Sequence, residues 1–117
     1  MMLSHSIEHG VLVITLHTDP GIGQRAALSQ EITDLVHACS PLPVVIVLDM
    51  PEVGGTTVSA ILRAQRMCHH LGVLMSVSTH SAATRRILEA NCDTGGTRLV
   101  VHARTDVAIT AAFTAAA

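Results

Sequence analysis

The sequence predicts an α/β fold, a mostly parallel sheet of four or five strands flanked by about four helices. Three observations carry that expectation. VLVITL at 11–16 and VVIVL at 44–48 are unbroken apolar runs of strand length. They show no alternation, as strands buried on both faces do. The segments between such runs carry apolar residues at helical spacing instead. The connections are short and marked by Pro and Gly, and strand–helix alternation of this kind closes into right-handed crossovers.

Each element follows from its own residues. VLVITL is β-branched and too short for a helix, so it reads as a buried strand. HSIEH (5–9) is a short edge strand beside it, and Pro20–Gly21 break the chain afterwards. Over Ala26–Ala38 the spacing of Ala27, Leu28, Ile32, Leu35 and Val36 is helical, with Glu31 and Asp34 on the opposite face. SPLP (40–43) stops that helix. VVIVLDM (44–50) is the clearest strand, and PEVGG (51–55) is a loop. TTVSAILRAQRMCHHLG (56–72) is a helix with Ile61, Leu62, Met67 and Leu71 turned inward and Gly72 as its stop signal. VLMSVST (73–79) is a third buried strand. Ser81 caps a helix running to about Cys92. DTGG (93–96) is a turn, RLVVHA (98–103) a last strand, and Thr105 or Asp106 caps a final helix. Nothing in the residues fixes the strand order.

Composition narrows the function classes. At 117 residues the chain has room for one domain, 1–117. Phe113 is its only aromatic residue apart from histidine, which argues against single-stranded nucleic-acid platforms built on base stacking. The formal charge is −2, and the seven Arg, with no Lys, form no basic stripe, so no nucleic-acid partner is expected. Arg-only, Ala-rich usage suggests a GC-rich bacterial genome. The longest apolar run is far shorter than the ~20 residues of a membrane helix, so membrane insertion is not expected. The N-terminal MMLSHSIEHG has no signal-peptide pattern, and Cys39, Cys68 and Cys92 are odd in number and widely spaced. Both features fit reduced thiols in a cytoplasmic protein.

The order of elements resembles that of the STAS domain, the fold of anti-sigma-factor antagonists. VVIVLDMPEV resembles the family's buried strand that ends in an aspartate and a loop valine. TTVSAIL (56–62) stands where the family opens a helix with Ser-Ser-Gly-Leu. GVLMSVSTHSAATRRILEANCD (72–93) is similar to the family's next strand, turn and Val-Arg-Arg helix, and RTDVAITAAF to its C-terminal helix. The resemblance spans roughly residues 8–115. It departs from the family at three places. Thr56 and Thr57 replace the two serines, and Gly55 replaces the aspartate before them. In LHTDPG (16–21), Thr18 and Gly21 replace the glycine and aspartate of Leu-x-Gly-x-x-Asp.

The resemblance implies a partner-switching antagonist that binds an anti-sigma factor of the serine/threonine kinase type. The expected partner surface is Val53, Gly54, Gly55, Thr56, Thr57, Val58 and Ser59, with Thr57, or Thr56, as the phosphorylation candidate. Gly54 and Gly55 leave the backbone open to close approach. A phosphate is tolerated at a helix N-terminus, so a negative charge at Thr57 is expected to leave the fold intact. The plainer reading makes Thr56 or Thr57 the helix N-cap.

Other patterns are weaker. GIGQRA (21–26) matches a dinucleotide fingerprint, but Thr18, Asp19 and Pro20 separate it from the strand. Arg85 and Arg86 offer an acidic partner a docking point or are a solvated face. Cys68, His69 and His70 are consecutive and point ~100° apart on a helix, too divergent for one metal ion. No catalytic constellation emerges, and no cofactor or metal is expected. Two alternatives to the antagonist remain. One is a regulatory or scaffolding STAS module, not phosphorylated, in a signalling or transporter assembly. The other is a small nucleotide-binding protein using GIGQRA.

Overall fold

The computed structural model describes residues 3–19, 21–91 and 99–116. The strands are β1 (Leu3–Glu8), β2 (Val11–Leu16), β3 (Val44–Leu48), β4 (Met75–Thr79) and β5 (Val100–His102). They form one sheet in the order β1-β2-β3-β4-β5. β1 is antiparallel to β2, and every other pairing is parallel. The helices are α1 (Arg25–Cys39), α2 (Gly55–Leu71), α3 (Ala82–Asn91) and α4 (Thr105–Ala116). The mostly parallel sheet and four helices match the expected fold class.

Because each crossover steps the same way along the sheet, α1, α2 and α3 share one face. There, alternate residues of β2 and β3 (Leu12, Ile14, Leu16, Val44, Ile46, Leu48) pack with Leu28, Ile32, Val36, Ile61 and Leu88, all at most 2% exposed. Each such side chain contributes about 1.5–3 kcal/mol by leaving water. The other face is thinner. Among the described residues, Val11, Val13 and Val45 pack with Ala108, Ile109 and Ala112 of α4, with Val47 beside them. Ser76 and Ser78 of β4 replace apolar residues there, and Ser78 Oγ lies 3.1 Å from Thr105 Oγ1.

The helical face of α2 is displaced from the expected one. Thr57, Ala60, Ile61, Ala64 and Cys68 are buried, whereas Leu71 is 42% exposed and Leu62 and Met67 are half-buried. Ala60 and Ala64 take inward positions facing α1, while Leu62 and Met67 pack against the core from its flank. Gly72 ends α2 in the left-handed region, at φ 71°, where its N–H bonds to the last carbonyls. Neither Thr105 nor Asp106 caps α4, since Thr105 is already helical and Asp106 pairs with Arg104 at 2.7 Å. The DTGG turn and Cys92 lie outside the described residues.

Candidate functional site

α2 begins without a cap of its own. Its N-cap is Gly54, which has no side chain to accept from the exposed N–H groups of the first turn. Thr56 and Thr57 are already inside the helix, so the expectation that either is the N-cap is corrected. The acceptor comes from the loop after β2. Asp19 Oδ2 accepts the Gly54 N–H at 3.1 Å, and Asp19 Oδ1 accepts a short hydrogen bond from the Thr57 hydroxyl. A carboxylate is favoured at that end of a helix by the aligned peptide dipoles.

Gly54 leaves room for the Asp19 carboxylate, which would have to shift if a side chain stood there. A Cβ placed on it would sit 2.8 Å from Asp19 Oδ2, closer than a side-chain carbon tolerates. Around Gly55 the corresponding space is open. The expected partner surface therefore divides. Gly55 is exposed; Val53, Gly54, Thr56, Val58 and Ser59 are half-buried; Thr57 is 0% exposed. Val53 and Val58 also lean on the main core rather than standing free. The close approach at Gly54 is made by the chain's own aspartate.

Sequence comparison within the resemblance missed Asp19, because the family pattern places its aspartate at position 21, where this chain has glycine. The structure reaches α2 with the carboxylate two residues earlier. The residue type alone, an acidic side chain in the loop that leaves β2, did not single it out, since only the fold brings that loop to the start of α2. A negative charge introduced at the buried Thr57 would lie against the Asp19 carboxylate, which weighs against the expectation of an intact fold.

The neighbouring strand ends add polar groups. His17 follows β2, Asp49 follows β3 and His80 follows β4. His17 Nε2 lies 2.7 Å from Ser4 Oγ, and His17 Nδ1 lies 3.7 Å from Asp49 Oδ2. Leu48, Asp49, Met50, Pro51, His80 and Ser81 line an open hollow of about 470 Å³. It lies at the carboxyl ends of the strands, where open α/β sheets usually bind ligands.

The remaining motifs take other places. Arg85 Nη1 donates to the Thr79 carbonyl at 2.9 Å and is half-buried, tying α3 to β4, whereas Arg86 is exposed. GIGQRA forms a short 3-10 turn, Ile22–Gln24, ahead of α1. No tight strand-to-helix turn is present, and a Cβ at Gly21 or Gly23 would touch nothing within 4 Å. These glycines lack the close backbone approach that the fingerprint requires. Burial pushes the Cys68 thiol up to about 11, leaving it protonated and unreactive at neutral pH. Cys39 and Cys68 are unbridged, and His69 and His70 are exposed. Among the described residues, no three His, Cys, Asp or Glu side chains converge as a metal site, and no helix is long and apolar enough to cross a membrane.

No protein-family model and no curated protein sequence matches the chain. The chain is similar to the crystal structure of an anti-sigma factor antagonist from Mycobacterium paratuberculosis, with a TM-score of 0.75 and 21% sequence identity. The match covers 94% of this chain and 92% of that one. The two share one fold over nearly the whole of each chain.

Proposed function

We propose that this protein is a cytoplasmic anti-sigma-factor antagonist that presents the start of α2 to an anti-sigma factor of the serine/threonine kinase type. The observation that carries the reading is the Asp19 carboxylate clamped on Gly54 and Thr57 at the exposed end of the sheet. The shared fold with a solved antagonist supports it. Binding would release the sigma factor held by that partner.

The same geometry supplies a switch. A kinase partner brings ATP. Thr57 Oγ1 bonds to the γ-phosphorus, ADP leaves, and the hydroxyl proton passes by way of Asp19 to water, which leaves Asp19 a carboxylate again. The phosphate adds about −1.5 to −2 charges beside Asp19 and competes with it for the Gly54 N–H. Two anions do not share one helix start at low cost, so Asp19 is expelled and its loop moves. The docking face is thereby remodelled, and the new charge disfavours reassociation. Because Thr57 is fully covered, the partner has to draw the Asp19 loop aside before transfer.

That burial also favours a second reading, a regulatory or scaffolding module that is never phosphorylated. One experiment separates the two. The tagged chain captures its partner from the native host, and the recovered complex is given ATP. Antagonism with switching requires a kinase-type anti-sigma factor in the complex and phosphate on Thr57 by mass spectrometry, absent in Thr57→Ala. A partner of that type without phosphate on Thr57 leaves the binding role and removes the switch. A different class of partner overturns both parts.

A further inference from the structure

The two edges of the sheet are built differently. β5 is an edge of three residues, too short to template another strand. β1 is six residues long and is paired with β2 without a bulge from Leu3↔Leu16 to Glu8↔Val11. Its hairpin turn is tight, with His9 and Gly10 both at positive φ (54° and 75°), the geometry of a two-residue type I′ turn. Such a turn makes Glu8↔Val11 a hydrogen-bonded pair, so Glu8, Ser6 and Ser4 bond inward to β2. The N–H and C=O groups of Leu3, His5 and Ile7 then point away from the sheet. No proline, lysine, bulge or covering element protects them among the described residues.

The residues along this edge read the same in both directions by chemistry. LSHSI (3–7) is apolar, Ser, His, Ser, apolar. We propose that β1 pairs antiparallel with β1 of a second copy of this chain, about a two-fold axis at His5, joining two sheets into one. The occupant is a second copy because only self-pairing about His5 uses this symmetry. Leu3 faces Ile7 of the other copy, Ser4 faces Ser6, and His5 faces His5. The outward groups of residues 3, 5 and 7 meet those of residues 7, 5 and 3 of the other copy, two main-chain hydrogen bonds at each outer pair and two at the centre. Ile7, 57% exposed in the single chain, gains an apolar cross-strand partner on the face where Leu3 is already buried. The surface is distinct from the start of α2 and does not depend on the function proposed for it.

The register is testable with the full chain. Sedimentation equilibrium at micromolar to several hundred micromolar should show a reversible dimer. His5→Pro removes an outward N–H without touching the bonds to β2, and edge strands tolerate proline at such positions. Ile7→Lys places a gatekeeping charge on the same edge. Both variants should keep the wild-type melting profile and weaken the dimer at least about tenfold. His5→Cys should cross-link to a covalent dimer under mild copper-phenanthroline oxidation, beyond any cross-linking of the wild type. Glu8→Cys should not, because self-pairing about His5 sets the two copies of residue 8 roughly 20 Å apart. A wild-type chain that stays monomeric throughout that range overturns the proposal. So does a dimer that survives both Ile7→Lys and His5→Pro, or one in which Glu8→Cys cross-links as readily as His5→Cys.

Discussion

The starts of α2 and α3 solve one problem in two ways. Each helix opens with N–H groups that lack intrahelical partners. At α3, Ser81 caps from within the sequence, its Oγ accepting the Thr84 N–H at 3.2 Å. Thr79 Oγ1 in turn accepts the Ser81 N–H at 3.2 Å, and Arg85 returns to the Thr79 carbonyl. At α2 the acceptor is Asp19, brought from another loop across more than thirty residues of chain. A local cap forms whenever its helix forms. A tertiary cap exists only while two loops stay together, and anything that competes for the helix start separates them. The switch proposed above uses that difference.

The largest break in the comparison is expected from Thr57→Asp. It sets a second carboxylate, at a position 0% exposed, against that of Asp19, which is itself exposed. An uncompensated buried charge costs about 3–5 kcal/mol, so the melting temperature should fall by more than about 10 °C. Thr57→Asp combined with Asp19→Asn should recover much of that loss, because the repulsion is gone. Equal melting of the single and double variants would show that Asp19 is not the opposing group. As a phosphate mimic, Thr57→Asp is therefore informative about binding only in the Asp19→Asn background.

Asp19→Ala comes next. It strips the Gly54 N–H and the buried Thr57 hydroxyl of their shared acceptor. Hydrogen bonds to a charged group are worth about 1.5–3 kcal/mol, and the loss here should fall in that range by chemical denaturation. A cost below about 0.5 kcal/mol would make the carboxylate incidental to α2.

The contrast between the two helix starts also explains what was readable in the sequence. Ser81 was legible because a local cap needs only a residue type at a fixed offset from a helix. The buried strands were legible for a similar reason: VVIVL can satisfy its period only between two covered faces. Asp19 was not legible, since nothing within its own loop says that α2 will lie above it. The loop's two-residue offset from the resembling family hid it further. The inward face of α2 was misread because Leu62 and Met67 look like core residues by hydrophobicity. The turn of α2 on the sheet sets Ala60 and Ala64 inward instead, and that rotation belongs to the packed sheet and helices rather than to α2 alone. The hairpin was half legible. The edge strand was expected at 5–9, but the turn uses His9 at positive φ, where Asn or Asp would have announced it.

Gly54→Ala sharpens the comparison because its sign depends on Asp19. The backbone of Gly54, at φ −91° and ψ 178°, suits alanine, so the substitution brings no conformational strain. By restricting the unfolded chain it would stabilise by about 0.4–1 kcal/mol if nothing else changed. Its methyl group, however, takes the space of Asp19 Oδ2. The net result should be a loss of about 1 kcal/mol, as the capping bonds outweigh the entropy. In the Asp19→Ala background the clash disappears, and Gly54→Ala should become neutral or stabilising. The same destabilisation in both backgrounds would place the clash elsewhere.

The smallest effect belongs to the local cap. Ser81→Ala removes the acceptor for one N–H of α3, a change that costs about 0.5–2 kcal/mol in helices generally. Here the lower half of that range is expected. Arg85 still ties the first turn to β4 through the Thr79 carbonyl, which limits the loss although Thr84, the donor of the freed N–H, is buried. A melting shift of roughly 2–5 °C follows for a chain of this size. The two caps serve different helices and share no partner, so Ser81→Ala and Asp19→Ala should add to within about 0.5 kcal/mol. A full double-mutant cycle by denaturant unfolding measures this directly. Coupling above about 1 kcal/mol would mean that the two helix starts rearrange together, and the distinction between a local and a tertiary cap would then fail as a description of this end of the sheet.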